Sequence, residues 1–249
     1  MKIAQHLLVG VALAVLPAWA FATSITLDNP TATFHDTVGG SNHQYSSNGC
    51  TGATDCEVRW GTPVGNTDAS GLRFDSFTAP LNTNTGTAFN LGDLTHFNWP
   101  VNGGTAASGT QLSFGFTITD PNLGPQTFLF SFNIDETPNE TPCVYPSNTP
   151  CADKITFGNA TSTTVFNING DVYTLYLLGF GSDANNLSNE FITQENLNNV
   201  TSLWAKIDLY QQPVGVPEPN ALLMMALGLF GIGMAVEVRR RKRRTGTGA

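Results

Sequence analysis

The sequence has 249 residues and a formal net charge of -8, with 11 Lys and Arg against 19 Asp and Glu. Most of the basic residues lie at the C-terminus, so residues 23–216 hold only four basic residues against 17 acidic ones. Nucleic-acid binding requires clustered Lys and Arg at the phosphates, and this charge balance therefore argues against nucleic acid as a partner.

The N-terminus has the three parts of an export signal. Met1-Lys2 gives a short positive start, residues 3–15 are almost wholly apolar, and Ala20-Phe21-Ala22 has small residues at the spacing of a cleavage site. We expect a signal peptide over residues 1–22, with cleavage after Ala22. An uncleaved N-terminal anchor is the alternative, but the apolar stretch is short for a membrane span.

Residues 23–212 are expected to form one exported domain, because all-β sandwiches of this length do not need to split. The segment is rich in Thr and Asn, and Gly, Asn, Asp and Pro interrupt it at short intervals. These features predict an all-β fold, an antiparallel β-sandwich with jelly-roll-like topology.

Alternating apolar residues locate several strands. Two such series flank the turn-forming residues 120–125 and predict an antiparallel pair: Leu112, Phe114, Phe116 and Ile118, then Phe128, Phe130, Phe132 and Ile134. A third series predicts a late strand: Leu203, Ala205, Ile207 and Leu209. The apolar run 171–180 is typical of a strand inside a sheet. A short helix is predicted over 190–199.

The four cysteines form two local groups. Cys50 and Cys56 enclose five residues, and Cys143 and Cys151 enclose seven. In an oxidising compartment this spacing favours two local disulfides, although four cysteines allow three pairings. A zinc site that includes His43 is the rival interpretation, but neither spacing is the close C-x2-C type.

Thr95, His96 and Asn98 form a polar group in one predicted strand. Because side chains alternate across a strand, His96 and Asn98 share one face and Thr95 lies on the other. A structural role, with His96 bonded to a loop backbone, and a catalytic role are both considered, and the structural role is favoured.

Acidic residues offer two further kinds of chemistry. Asp135 and Glu136, with Glu140, would be paired carboxylates for glycoside hydrolysis, although neighbouring side chains of a strand diverge. Asp135, Glu136 and Asp153 are also candidate ligands of a structural Ca²⁺, which takes six to eight oxygens. No D-x-D-x-D loop is present, and no other cofactor is expected.

Common catalytic motifs are missing from the sequence. It contains no G-x-S-x-G elbow, H-E-x-x-H motif, phosphate-binding loop or dinucleotide glycine fingerprint. We therefore expect a domain that is not an enzyme. Exposed Trp60, Trp99 or Trp204 would instead allow stacking on sugar rings, with core packing as the alternative use of these side chains.

The C-terminal segment 213–244 has the parts of a sorting and anchoring signal. Val216, Pro217, Glu218 and Pro219 precede 16 apolar residues, 221–236, which reach ~24 Å as a helix against a hydrocarbon core of ~30 Å. A marginal transmembrane helix is predicted over 221–238. Its basic end, 239–244, favours the cytoplasm and places the domain outside: Arg239, Arg240, Arg241, Lys242, Arg243 and Arg244.

This order of box, apolar span and basic end resembles the PEP-CTERM sorting signal of Gram-negative bacteria that make extracellular polysaccharide. The resemblance implies processing at Pro217-Glu218-Pro219 by exosortase, a membrane transpeptidase, after a transient stay in the inner membrane. A permanent single-span anchor is the alternative that the physics of the span leaves open.

Residues 91–100, Leu-Gly-Asp-Leu-Thr-His-Phe-Asn-Trp-Pro, are similar to the segment that names the THxN family of PEP-CTERM proteins. Further segments follow the order of that family: Trp60-Gly61, residues 70–74, residues 135–139, Cys143, Cys151 and residues 155–157. The resemblance supports architecture and sorting and implies no reaction. We expect an exported cell-surface or matrix protein with a structural or adhesive role and extracellular polysaccharide as a partner. A carbohydrate- or calcium-binding module and a polysaccharide hydrolase are the alternatives.

Overall fold

A computed structural model describes residues 22–47, 56–65, 67–148 and 150–210. The strands are β1 (Ser24–Val38), β2 (Gln44–Ser46), β3 (Glu57–Trp60), β4 (Ser70–Ser76), β5 (Leu81–Asn84), β6 (Ala88–Asn98), β7 (Gly109–Asp120), β8 (Gly124–Asp135), β9 (Asp153–Asn159), β10 (Phe166–Ile168), β11 (Asp171–Phe180), β12 (Glu190–Thr193) and β13 (Leu197–Leu209). Within those ranges there is no helix, and hence none that is long and apolar enough to cross a membrane. The predictions for residues 1–21, for Cys50 and for the segment from 213 onward lie outside the described residues.

The strands form two antiparallel sheets. Sheet A has the order β12-β9-β8-β7-β1-β5, and sheet B has the order β10-β11-β13-β6-β4-β3-β2. The chain passes repeatedly from one sheet to the other. The predicted all-β, antiparallel fold is confirmed.

The pair β7 and β8 follows directly from the sequence pattern. Leu112 pairs with Phe130 and Phe114 with Phe128, and all eight predicted apolar positions of these strands are buried. Apart from the exposed Leu129, the alternate positions carry polar or small residues on the other face. An apolar row of period two requires burial on one face only, which an antiparallel strand pair provides.

The hydrophobic core lies between the two sheets. Phe74 of sheet B meets Phe114 of sheet A edge to face, with ring centroids 5.6 Å apart. Phe166 of sheet B meets Phe128 of sheet A in the same way at 6.2 Å. Because each fully buried large apolar side chain contributes about 1.5–3 kcal/mol, these contacts hold the sheets together.

The outer face of sheet B carries an aromatic ring covered by arginine. The register places Gly71 between Phe97 and Arg59. Since Gly71 has no side chain, Arg59 reaches across it, and its guanidinium carbon lies 3.5 Å from the centroid of the Phe97 ring. This cation–π contact leaves Phe97 only 6 % exposed although it lies on an outer face.

The predicted helix over 190–199 is wrong. Residues 190–193 form β12, which pairs with β9, and β13 begins at Leu197. Between the strands, Asn196 has a φ of 62°, a left-handed conformation that Asn tolerates in turns. Tertiary pairing with the edge of sheet A therefore overrides the helical preference of Glu190 and Gln194.

Candidate functional site

The Thr-His-x-Asn segment lies at the end of β6, in the middle of sheet B. His96 and Asn98 point into the sandwich and are both fully buried, whereas Thr95 and Phe97 lie on the outer face. The prediction that His96 and Asn98 share a face is confirmed. The segment thus sends two polar side chains into an otherwise apolar interior, where each needs a hydrogen-bond partner.

Thr193, the last residue of β12, is the main partner of both side chains. His96 Nδ1 lies 2.8 Å from Thr193 Oγ1, and Asn98 Nδ2 donates to Thr193 O at 3.1 Å. The second ring nitrogen, Nε2, faces Ser70 Oγ at 3.5 Å. The sequence predicted a loop backbone as the partner of His96, and the partner is instead a side chain at the end of a strand in the other sheet. These bonds tie sheet B to sheet A.

His96 is held in its neutral form. Burial, with the charge of the nearby Arg59 guanidinium acting in the same direction, lowers the pKa of its imidazole to about 3. The ring also stacks on Trp60, with centroids 6.0 Å apart and planes inclined by 26°. A neutral ring fixed by a hydrogen bond and by stacking, with no access to solvent, is suited to a structural role.

Three carboxylates meet beside this bonded pair, and we call Glu136, Asp153 and Glu195 the acidic cluster. Glu136 follows β8, Asp153 begins β9 and Glu195 follows β12. Antiparallel pairing brings these strand ends together, because Asp135 pairs with Lys154 and Thr193 with Asp153. The cluster lies at the end of the sandwich where β6 also ends.

The carboxylates of the acidic cluster disfavour one another's ionisation. Burial raises the pKa of Glu136 strongly, and the charges of Asp153 and Glu195 raise it further. Burial likewise raises the pKa of Glu195 to about 7, with Asp153 adding to the effect. Burial also raises the pKa of Asp153, opposed by hydrogen bonds from Thr137, whose backbone N–H donates to Asp153 Oδ1 at 2.7 Å.

Several buried polar atoms in this region lack a hydrogen-bond partner. Within the described part of the chain, the buried side-chain nitrogen and oxygen atoms without a partner are Trp60 Nε1, Asn98 Oδ1, Glu136 Oε2, Asp153 Oδ2 and Glu195 Oε1. All five belong to the acidic cluster or to its neighbours Asn98 and Trp60. Unpartnered buried groups are costly, so the polar atoms gathered here require protons, water or an ion as partners.

A surface cleft of about 490 Å³ reaches the acidic cluster through Glu136. It is lined by Val64, residues 100–104, Ala106 and residues 136–140. Asn139, which also lines the cleft, lies beside the Glu195 carboxylate and lowers its pKa slightly. Water and small ions therefore have a route to the cluster from solvent.

The other predicted site residues are dispersed. Of the three candidate calcium ligands, Glu136 and Asp153 belong to the buried acidic cluster, whereas Asp135 is exposed, accepts a hydrogen bond from Tyr145 and raises the pKa of Asp153 through its charge. Glu140 is exposed. Trp60 is buried in the core and cannot stack on a sugar, whereas Trp99 and Trp204 are half-buried.

Glu195 is the acidic residue that sequence reasoning missed. It lies in Gln194-Glu195-Asn196, which the sequence analysis placed inside a helix. Reading the same residues as strand, turn and strand would have placed Glu195 at a strand end. Among the described residues, no three Asp, Glu, His or Cys side chains stand close enough together to hold a metal ion by themselves.

Cys143 and Cys151 form the predicted disulfide, which closes the loop between β8 and β9 beside the acidic cluster. Cys56 is also in a disulfide, while its predicted partner Cys50 lies outside the described residues. A zinc site built on Cys143 and Cys151 is ruled out, because their sulfurs are bonded to each other. His43, the histidine considered for a zinc site, is bonded to the backbone oxygen of Gly39 at 2.8 Å.

Comparison with known proteins identifies the C-terminal segment. No curated protein matches the chain. The similarity of residues 91–100 to the THxN family stays a prediction. Residues 215–244 match the family model of the PEP-CTERM protein-sorting motif. The chain therefore carries a PEP-CTERM sorting motif, which implies an exported protein that an exosortase-type enzyme processes.

Proposed function

We propose that this protein is a structural or adhesive component of the cell surface or extracellular matrix, and that its β-sandwich is not catalytic. The observation that carries the proposal is the sorting motif at residues 215–244. In our proposal the domain is the delivered module, and the segments that flank it direct its export and release.

The route of delivery follows from the two ends of the chain. The signal peptide at 1–22 starts export, and the helix at 221–238 holds the precursor in the inner membrane with the domain outside. The basic end, 239–244, stays in the cytoplasm. Processing at Pro217-Glu218-Pro219 then frees the domain for the surface or matrix.

A non-catalytic role is supported by the way the polar side chains are used. Within the Thr-His-x-Asn segment, His96 and Asn98 carry the side chains best suited to catalysis. Both are fully buried and bonded to Thr193. Asp135, one of the two carboxylates considered for sugar hydrolysis, is exposed and bonded to Tyr145, whereas Glu136 Oε2 is buried. This difference in surroundings supports a structural use of these side chains over the paired use that glycoside hydrolysis requires.

The partner that we propose is extracellular polysaccharide, bound over the faces of the sheets. Trp204 is half-buried, and its Nε1 donates to Gly181 O at 3.0 Å, which fixes the orientation of the ring. Fixed aromatic rings bind sugars well because little side-chain entropy is lost on binding. In topology we group the domain with jelly-roll-like sandwiches, on the basis of its repeated passage between two sheets.

The experiment is a deletion in the native host, complemented by the natural gene or by a gene in which Pro217-Glu218-Pro219 is changed to three alanines. We expect the deletion to weaken matrix cohesion, the natural gene to restore it, and the alanine variant to remain as an uncleaved membrane form. The matched control changes Gln211-Gln212-Pro213, just before the motif, to alanines and should behave like the natural protein.

Unchanged cohesion in the deletion strain, together with no binding of the purified protein to cells or polysaccharide, contradicts the proposed role. Release of sugars from the polysaccharide by the purified protein would instead identify a hydrolase. Normal cleavage of the alanine variant contradicts the proposed route.

A further inference from the structure

The acidic cluster combines strand ends of one sheet with a buried amide of the other. Glu136, Asp153 and Glu195 belong to the strands of sheet A, and Asn98 ends β6 of sheet B. These three acidic residues lie 38 to 97 positions from Asn98 in sequence, and the fold brings all four residues to one end of the sandwich. Burying several carboxylates together among aromatic and aliphatic side chains costs free energy, and some interaction must offset this cost.

No Lys or Arg of the described residues forms an ion pair with the acidic cluster. The ion pairs of Lys and Arg within the described ranges lie elsewhere: Arg59 with Glu57, Arg73 with Asp75, Lys154 with Glu190 and Lys206 with Asp208. Three ionised carboxylates within mutual electrostatic range would be unstable unless a cation or protons neutralise them.

The orientation of Asn98 points to a cation. Its Nδ2 donates to Thr193 O and lies 3.4 Å from Thr193 Oγ1, and the Asn98 side chain also hydrogen-bonds the Asp153 carboxylate, which lowers the pKa of Asp153. Asn98 is fully buried beside Asp153, and its Oδ1 accepts no hydrogen bond. With the amide nitrogen serving as the donor, the buried Asn98 Oδ1 is an acceptor without a partner, and such an oxygen binds a hard cation well.

We propose that the acidic cluster, together with Asn98 Oδ1, binds a calcium ion supplied through the adjoining cleft. Two carboxylates and the Asn98 oxygen ligate the ion directly, and the third carboxylate acts through a water molecule. This arrangement is compatible with the observation that no three acidic side chains of the described residues stand at direct ligation distance. The cleft, which reaches Glu136, supplies the remaining water ligands.

The donor set selects calcium among the common divalent ions. All four unpartnered acceptors are oxygens, which suits the hard ions calcium and magnesium and not zinc or copper. The oxygens come from four separate chain segments, and calcium tolerates irregular coordination with six to eight ligands, whereas magnesium demands a near-ideal octahedron. The fifth unpartnered atom, Trp60 Nε1, is a donor beside Glu136 and would steady a ligating carboxylate.

Calorimetric titration of calcium chloride into the purified, chelator-stripped full chain tests this site. We expect saturable binding of one ion per chain and a higher melting temperature with calcium than with chelator. Glu195→Gln should weaken calcium binding about tenfold or more, the loss of one charged ligand interaction of about 1.4 kcal/mol. Asp171→Asn removes an equal charge at an exposed position of β11 and should leave the affinity within about twofold.

Folding and binding are separated by measuring each variant's melting temperature in chelator. Because Glu195→Gln relieves repulsion in the cluster, this variant should melt no lower than the natural protein without calcium, so its weaker binding is not a folding defect. The proposal is overturned by the absence of saturable calcium binding, by equal affinities of the Glu195→Gln and Asp171→Asn variants, or by equally tight magnesium binding.

Discussion

His96 shows how one polar residue can link two sheets. Its Nδ1 is bonded to Thr193 Oγ1, and its ring stacks on Trp60, so it contacts sheet A and the end of β3 together. The ring is fully buried, and burial keeps it neutral because an imidazolium ion would lose its hydration. Its contribution to stability therefore depends on pH.

Replacing His96 by Gln should reduce the slope of the free energy of unfolding against pH between about pH 3 and pH 6.5. Between the pKa of about 3 in the folded protein and the ordinary value of 6.5, the unfolded chain binds the extra proton. The free energy of unfolding from this group is thus present above pH 6.5 and is lost as the pH falls, by at most about 1.4 kcal/mol per pH unit. Urea unfolding in chelator at several pH values measures the slope.

The acidic cluster acts in the opposite sense, because its raised pKa values make stability fall as the pH rises. The effect of His96 is therefore read from the difference between the slopes of unfolding free energy against pH for the His96→Gln variant and for the natural protein. An unchanged slope in His96→Gln contradicts the neutral, buried state of His96.

At the scale of single residues the sequence was informative only where local geometry decides. The common face of His96 and Asn98 was predictable because alternation along a strand is a local rule. The acidic cluster was not, since Asn98, Asp153 and Glu195 belong to separate strands whose pairing is set by the whole core. The different surroundings of Asp135 and Glu136 follow from the local rule already stated, that neighbouring side chains along a strand diverge.

At the scale of elements, sheet B depends on the close approach of β3, β4 and β6. A methyl group at Gly71 would collide with the backbone oxygen of Val58 and would lie 2.5 Å from Arg59 Cδ. That arginine is also the one that covers the Phe97 ring. Gly71 is thus required for packing on the outer face, not for its own backbone freedom.

Gly71→Ala should therefore destabilise the domain by roughly 1–3 kcal/mol, the cost of overpacking a well-packed position. The lost cation–π contact adds to this cost. Gly103→Ala is the control, because a methyl group there meets nothing within 4 Å and should change stability by less than about 0.5 kcal/mol. Equal midpoints of urea unfolding for the two variants would contradict the described packing of β3, β4 and β6.

Elements were predictable where the hydrophobic pattern was long. Alternation over Leu112–Ile118 and Phe128–Ile134 predicted β7 and β8, because a buried face fixes the period. The segment 190–199 has no such pattern, and its structure depends on the free edge of β9, with which β12 pairs. A short strand at the edge of a sheet is determined by its partner and not by its own residues.

At the scale of the whole molecule, the sorting signal and the acidic domain occupy different segments of the chain. The sorting motif at 215–244 determines where the protein goes, and the acidic domain before it determines what is delivered. In our proposal, processing also separates the two charge types, because most basic residues leave with the tail and residues 23–216 keep four basic against 17 acidic residues. The released domain would then be strongly anionic and suited to retaining cations in the matrix.

The most direct test is mass spectrometry of the protein recovered from the extracellular matrix of the native host. The proposed route predicts a mature chain that begins after Ala22 and ends at or near Pro217-Glu218-Pro219, without the basic end 239–244. Recovery of the protein only from the membrane, with Arg239–Arg244 still attached, would contradict it.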